Sequence, residues 1–494
     1  EARFDVFEYR VEGATLLPVA LVERALYPHL GAAKTLADVE AAREALERAY
    51  HDAGYLTALV AIPPQKVEDR VVRLAVTEAP VARLRVLESR YYSLGQIKAG
   101  VPELAEGAVP HFPTLQKQLA ALSRAPDRRI APVLRPGKTP GTVEVDLKVK
   151  DELPLHGNVE LNDRTSPDTT RTRLNLNARW DNLWQRQHGL GVALQISPED
   201  TGESRVASLS YTWPLADGKL LALYAVSSES DVAALGTLNV VGNGEIAGAR
   251  LIVPLRAGAG FFHSASLGVD YKNFDQTVNL LGGGGLASPI EYLPFLVGWD
   301  ASWLNDAART QLGASFNFHL RGLVADEQAF ADKRFKGRAN YAYLKGSLVH
   351  ERRLAADWRV SGELDWQLAA QPLISNEQFS LGGVESVRGY LESAALGDNG
   401  AAFQLEAVTP DLASRLGGWP GELRLHTFFD AGRATVREPI TAVDHATLAG
   451  TGVGLRAKAP GGVVADLEWA VALRDLGRTE AGDGRAHFRL GVEW

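Results

Sequence analysis

The residues best placed to do chemistry in this chain are opposite charges. Arg388 sits in the glycine-punctuated stretch SLGGVESVRGYLESAALGDNG, Ser380 to Gly400, between Val387 and the pair Gly389–Tyr390. Asp430 sits in GELRLHTFFDAG, residues 421–432, with Phe428 before it and Gly432 after it. Side chains alternate faces along an extended strand, so Leu423, Leu425, Thr427 and Phe429 share one side. Arg424, His426, Phe428 and Asp430 share the other. A guanidinium meets a carboxylate through two parallel hydrogen bonds, which fix orientation as well as adding strength. Stranding one half of such a buried pair costs about 3–5 kcal/mol. The glycine-rich segment is therefore expected to turn back and bring Arg388 to Asp430. The plainer alternative is a carboxylate wetted by a channel.

Other chemistry finds little support. Without cysteine there is no disulfide scaffold, thiolate metal site or thiol nucleophile. RPGKTPG, 135–141, resembles a phosphate loop only in passing: Pro132 stands where its first glycine belongs, and a strand follows instead of a helix. LGGGGLAS, 281–288, reads as a loop tip. The 11 histidines form no metal-binding spacing and no G-x-S-x-G elbow occurs, so neither a metal site nor an enzyme is expected. A net charge of −8 offers no basic field for nucleic acid. Methionine is absent even from position 1, which leads to the expectation that a signal peptide has been removed.

These side chains need a frame, and the chain of 494 residues supplies two rhythms. From Leu153 onward, strands of about ten residues alternate apolar and polar positions. In RTRLNLNARW, Arg171, Arg173, Asn175, Asn177 and Arg179 oppose Thr172, Leu174, Leu176, Ala178 and Trp180. WRVSGELDWQ and the terminal HFRLGVEW sort the same way. A large extracellular sandwich would alternate too, so the connections decide. Short turns around Asp217, Asn305 and Pro460 alternate with long loops at 230–241, 275–289, 321–337, 372–400 and 433–447. This asymmetry, with tryptophans near strand ends (Trp180, Trp213, Trp299, Trp303, Trp358), predicts a closed antiparallel membrane barrel of sixteen strands. A mean hydropathy of −0.10 is compatible with strands that are apolar on one face.

The first part of the chain reads β-α-α-β-β twice, over 1–79 and 80–152. In the first unit, Leu36, Val39, Ala42, Leu46 and Ala49 recur at helical spacing before Gly54. The barrel is expected over 153–494.

With these pieces the sequence resembles the two-partner secretion transporters (TpsB proteins, the FhaC/ShlB haemolysin-activator type). Val387-Arg388-Gly389-Tyr390 is similar to the V-R-G-Y/F tetrad of the family's sixth extracellular loop, and Phe428, Asp430 and Gly432 match its F-x-D-x-G wall motif. The paired α/β units look like POTRA domains. The resemblance implies an outer-membrane barrel with periplasmic POTRA domains, a monomer, placed in the lipid by the barrel-assembly machinery. Its partner would be a large secreted exoprotein, caught by addition to POTRA sheet edges near Thr57–Pro63 and Arg128–Arg135. Thr57, Leu59, Ala61, Ile130 and Val133 are the expected contact residues. It also implies a pore-plugging N-terminal helix, here either naturally lacking or removed, and an aromatic last residue such as Trp494. No cofactor is implied. A BamA-like insertase of membrane proteins is the alternative, although BamA proteins usually carry more POTRA repeats. A passive porin would need neither the repeats nor the paired motifs.

Overall fold

A computed structural model describes residues 3–123, 125–167, 169–230, 232–235, 238–241, 243–275, 277–278, 286–287, 289–324, 327–415 and 419–494. The loops expected at 230–241 and 275–289, and the tract 281–288, lie partly outside these residues. The chain forms two compact units, Glu1–Pro154 and Leu155–Trp494.

The first unit contains two three-stranded sheets of one topology. Val71–Glu78 is the centre of one, parallel to Glu8–Glu12 and antiparallel to Ala58–Ala61. Val143–Asp151 is the centre of the other, parallel to Val81–Leu87 and antiparallel to Arg128–Pro136. Helices Val19–Leu26 and Leu36–Asp52 belong to the first sheet's unit; Leu94–Ala99 and Phe112–Leu122 belong to the second's. Thr35 and Asp38 start the long helix with a reciprocal capping box.

Two details differ from the sequence reading. The buried stripe of that helix is Val39, Ala42, Leu46 and Tyr50, with Leu36 65% exposed at its first turn. From Leu46, a step of four residues holds the inward face better than a step of three. The first strand also breaks at Phe7, whose N–H bonds the Arg70 carbonyl at 2.9 Å. Phe4–Val6 instead pairs with Gly31–Lys34, a short strand between the helices, giving a small extra sheet.

The second unit is a closed antiparallel barrel in which neighbouring strands follow chain order, and Arg489–Glu493 pairs with Asn158–Asn162 to complete it. Sixteen strands cross the wall. One crosses in two pieces, Ile290–Tyr292 and Phe295–Leu304, both paired with Phe261–Asp275. Pro294, which has no N–H to give a ladder, lies at the break. Closure pairs the last wall strand with the first, in keeping with a hydrocarbon surrounding that does not tolerate open sheet edges.

Parity sorts the wall as expected. Val192, Leu209, Leu267, Val297, Phe316, Leu405, Val453 and Leu467 are exposed on the outer face. No described helix is long and apolar enough to cross a membrane. Seven of the ten tryptophans (Trp180, Trp184, Trp213, Trp303, Trp358, Trp419 and Trp494) lie exposed toward the short-turn rim. One connection on that rim is long: 409–421 holds a 3-10 turn, and Asp411 ties it by accepting from the N–H groups of Ala413 and Leu423, both at 2.9 Å.

Candidate functional site

The sixth long loop, 370–398, runs from strand Arg359–Ala369 to strand Asn399–Val408. Its short hairpin pairs Phe379–Leu381 with Ala395–Gly397, and its tip, Val387 to Tyr390, is buried against the inner wall. Val387 and Tyr390 pack with Phe379, Leu381, Ala402, Ala434, Leu448 and Ala472. Gly389 has φ +96°, a left-handed conformation that costs other residues energy, and a Cβ there would press on the Ala472 backbone at 3.1 Å. Gly432 leaves room for Leu381, and a Cβ on Gly450 would overlap the Arg388 carbonyl oxygen.

Arg388 and Asp430 meet directly. Arg388 donates from Nε to Oδ2 at 2.8 Å, from Nη2 to Oδ1 at 2.9 Å and from its backbone N–H to Oδ2 at 3.0 Å. The remaining terminal nitrogen, Nη1, donates to Glu406 at 3.2 Å and Glu468 at 3.1 Å. The guanidinium lies 3.5 Å above the Phe428 ring, whose negative face favours a cation. One buried cation thus faces three carboxylates. The imbalance is shared outward: Arg456 bonds Glu406 at 3.1 Å and Asp466 at 2.9 Å, while His426 Nε2 lies 2.9 Å from Glu468.

The neighbouring backbone is also held. The Gly389 N–H donates to His487 Nε2 at 3.4 Å, and His487 Nδ1 lies 3.0 Å from Asp163. The Tyr390 hydroxyl donates to the Arg474 carbonyl at 2.7 Å and accepts from the Arg474 N–H at 3.2 Å. Glu406, His426 and Glu468 present ligand atoms within 4.8 Å of one another, a donor set that suits a divalent metal. Nη1 of Arg388 bonds both glutamates, so the guanidinium is the cation of this cluster.

The structure thus brings Val387, Arg388, Gly389, Tyr390, Phe428, Asp430 and Gly432 together. Sequence reasoning did not single out Glu406, Glu468, His426, His487 or Gly450. The first three fall on inward positions of their strands, but inward acids are numerous in a wetted barrel.

The expected sheet-edge contacts divide. Leu59 and Ala61 face outward on edge strand Ala58–Ala61, whose Ala58 and Val60 point into the core. Thr57 precedes that strand, is buried and donates its hydroxyl to the Ala79 carbonyl at 3.3 Å. On Arg128–Pro136, Ile130 leans on the core and Val133 is exposed. Thr57 and Ile130 therefore pack the fold, leaving Leu59, Ala61 and Val133 accessible. Nearby, Glu78 accepts from the N–H groups of Thr15 and Leu16 at 2.7 and 2.8 Å, and from the Tyr50 hydroxyl at 2.8 Å. Burial works against its charge, but these bonds and one from the Thr15 hydroxyl hold its carboxyl below the usual range.

Comparison with known proteins agrees with this architecture. The ShlB-type POTRA domain family matches residues 4–79. The family described as haemolysin secretion/activation protein ShlB/FhaC/HecB matches 141–279 and 291–457. Heme/hemopexin transporter protein HuxB of Haemophilus influenzae is 22% identical over 390 residues, 76% of this chain and 67% of its own length. Outer membrane transporter CdiB of Dickeya dadantii is 23% identical over 390 residues, 72% of this chain and 63% of its own. Among solved structures, CdiB from Escherichia coli superposes with a TM-score of 0.67 at 19% identity, covering 100% of this chain and 91% of that one. BamA from Haemophilus ducreyi lacking POTRA domains 1–3 gives 0.58 at 15% identity, covering 99% and 100%. These two show a shared fold. The chain belongs to the ShlB/FhaC/HecB haemolysin secretion/activation family, the TpsB-type outer-membrane transporters whose barrel lies in the outer membrane and whose POTRA domains face the periplasm.

Proposed function

We propose that this protein exports a large partner exoprotein from the periplasm to the cell surface. In this reading, residues 1–79 and 80–152 are two POTRA domains that capture the partner's secretion domain, and 153–494 is the conducting barrel. An unfolded chain pairs with a free strand edge through main-chain hydrogen bonds and so asks little of its sequence. Leu59, Ala61 and Val133 lie outward on such strands and are the proposed contacts. Folding of the exoprotein outside gives the passage its direction; no catalytic step or cofactor is assigned. The chain acts as a monomer after assembly by the barrel-assembly machinery.

The observation that carries this reading is the loop tip bonded inside the lumen, Arg388 on Asp430, in a barrel that follows two POTRA-type units. A diffusion porin has no use for such a lock. The test is export of the cognate exoprotein by cells carrying Arg388→Ala or Asp430→Ala. Wild-type export by both variants removes the lock. General loss of other barrel proteins on depletion replaces export with insertion as the function.

A further inference from the structure

The cluster at Asp430 fixes the tip of the sixth loop; a second buried carboxylate fixes its base. Glu377 ends the 3-10 turn Ser375–Glu377, and its side chain is only 2% exposed. Oε1 accepts from Lys272 Nζ and from the Tyr292 hydroxyl, both at 2.6 Å, and Oε2 accepts from the Tyr343 hydroxyl at 2.7 Å. These donors stand on strands Phe261–Asp275, Ile290–Tyr292 and Tyr341–Arg353. Arg388 bonds instead to Asn399–Val408, Glu422–Thr435 and Val463–Ala472. The loop is thus a strut spanning the lumen, fastened to different strands at its two ends.

The fifth loop, 320–340 between strands Ala308–His319 and Tyr341–Arg353, lies over the same strands. Helix Glu327–Lys333 seats the Phe330 ring against those of Tyr292, His319 and Tyr341, with centroids 5.8, 5.3 and 5.9 Å away, and all four residues are buried. Asp398, fully buried, accepts from the Leu373 N–H at 2.8 Å, Gln378 Nε2 at 3.1 Å and the Arg437 N–H at 2.6 Å. Arg334 reaches Asp398 at 3.5 Å and donates to the Arg437 carbonyl at 2.8 Å. Lys336 and Glu438 add an exposed pair at 2.8 Å, a kind of contact worth little by itself.

The two carboxylates divide the work. The partners of the Asp398 carboxylate all lie on loops, so it joins the fifth, the sixth and the seventh (436–444) into one body. The side-chain partners of Glu377 all lie on barrel strands, so it fastens that body to the wall. We propose that loops five to seven form a single lid over the extracellular mouth, with Glu377 as its latch, and that parting Lys272 from Glu377 opens it. The passing chain that needs this opening belongs to the exporter reading, on which the inference rests.

The test reads opening without cargo, as single-channel conductance of the full-length protein in planar lipid bilayers. Glu377→Gln keeps the shape but loses the charge, and the open fraction should rise at least about tenfold, as befits a lost charged hydrogen bond. Lys272→Glu alone should do likewise, and the exchange Lys272→Glu with Glu377→Lys should return it toward wild type. Such rescue separates a latch from mere loss of fold. Because the chain has no cysteine, paired thiols can be introduced cleanly. Lys272→Cys with Glu377→Cys, joined by a short bis-methanethiosulfonate, should abolish opening until reduced. Lys336→Cys with Glu438→Cys, joined alike, should leave opening intact, since both residues ride on the lid. An unchanged open fraction in Glu377→Gln overturns the latch, and blockage by the 336–438 bridge overturns the one-body lid. If conductance behaves as stated while the wild-type protein exports no exoprotein, the exporter reading falls and the latch stands.

Discussion

Removing the charge of Asp430 should release the tip of the sixth loop while leaving the barrel whole. Asp430→Asn keeps the side-chain shape, but one of its two acceptor atoms becomes a donor facing the donors of Arg388. Breaking a buried pair costs about 3–5 kcal/mol. The lower end applies here, because Glu406 and Glu468 continue to offset the guanidinium. A loss of about 3 kcal/mol shifts docking roughly a hundredfold, at about 1.4 kcal/mol per tenfold. Arg388→Ala should do more, since it leaves Asp430 buried without its cation; about 5 kcal/mol corresponds to a shift of several thousandfold. The reporter is Val387→Cys, a thiol at a fully buried position of a chain with no other cysteine. A charged maleimide reacts only when the tip undocks, so its rate follows the undocked population when reclosing is fast. Barrel integrity is followed by the mobility of the unheated protein in detergent gels, as the strand ladders do not use this pair. Equal labelling of wild type and both variants, within a factor of about two, would refute the cluster as the anchor of the loop.

Three further expectations test other parts of the structure. Gly450→Ala should raise Val387→Cys labelling with no change of charge, since its Cβ would overlap the Arg388 carbonyl oxygen; unchanged labelling would show that the wall yields there. Glu78→Gln should cost the first POTRA-type unit roughly 1–2 kcal/mol, read as faster amide exchange in helix Leu36–Asp52 of the intact protein. Because the folded pKa of Glu78 is lowered, its contribution is present above the unfolded value and is lost as pH falls through the folded one. Wild-type protection, taken against the intrinsic exchange rate at each pH, should therefore fall in acid through that window, and the variant should lack this part of the dependence. Leu467→Arg, on the lipid face of a wall strand, should destabilise the barrel by about 2–4 kcal/mol in denaturant titrations from lipid vesicles, and a neutral result would place Leu467 away from the hydrocarbon.

Strand alternation made the barrel legible because lipid and lumen impose opposite demands on successive residues. RTRLNLNARW sorted correctly for that reason, with Leu174 and Leu176 pointing away from Arg173 and Asn175. The Gly31–Lys34 strand was not legible: GAAK carries no alternation and owes its conformation to pairing with Phe4–Val6. The break at Pro294 did have a local sign, a proline inside an apolar run, but its consequence depends on the facing strand Phe261–Asp275. The buried stripe of helix Leu36–Asp52 slipped at both ends, since the position of the sheet beneath it decides which residues of the end turns are covered.

The site follows the same division between local and non-local information. Parity put Asp430 inside, and Arg388 drew notice by its glycine-rich setting. Parity also puts Glu363, Asp365, Asp466 and Lys345 inside, so it cannot select Glu406 and Glu468 as partners. That choice belongs to register: Glu406 lies opposite Phe428, Phe428 opposite Gly452, and Glu468 opposite Gly454. One sequence feature did carry the missing information. Gly450, Gly452 and Gly454 alternate along strand His445–Ala459 and leave the inward face bare between Leu448 and Arg456. Side chains at these positions would meet the Arg388 carbonyl oxygen, the Phe428 ring and the His426 ring respectively. A strand that presents three successive inward glycines gives up packing that something else must restore. Here the Arg388 backbone and the rings of Phe428 and His426 fill that space, so alternate glycines on one wall strand mark the berth of a loop tip more than sixty residues earlier in the chain.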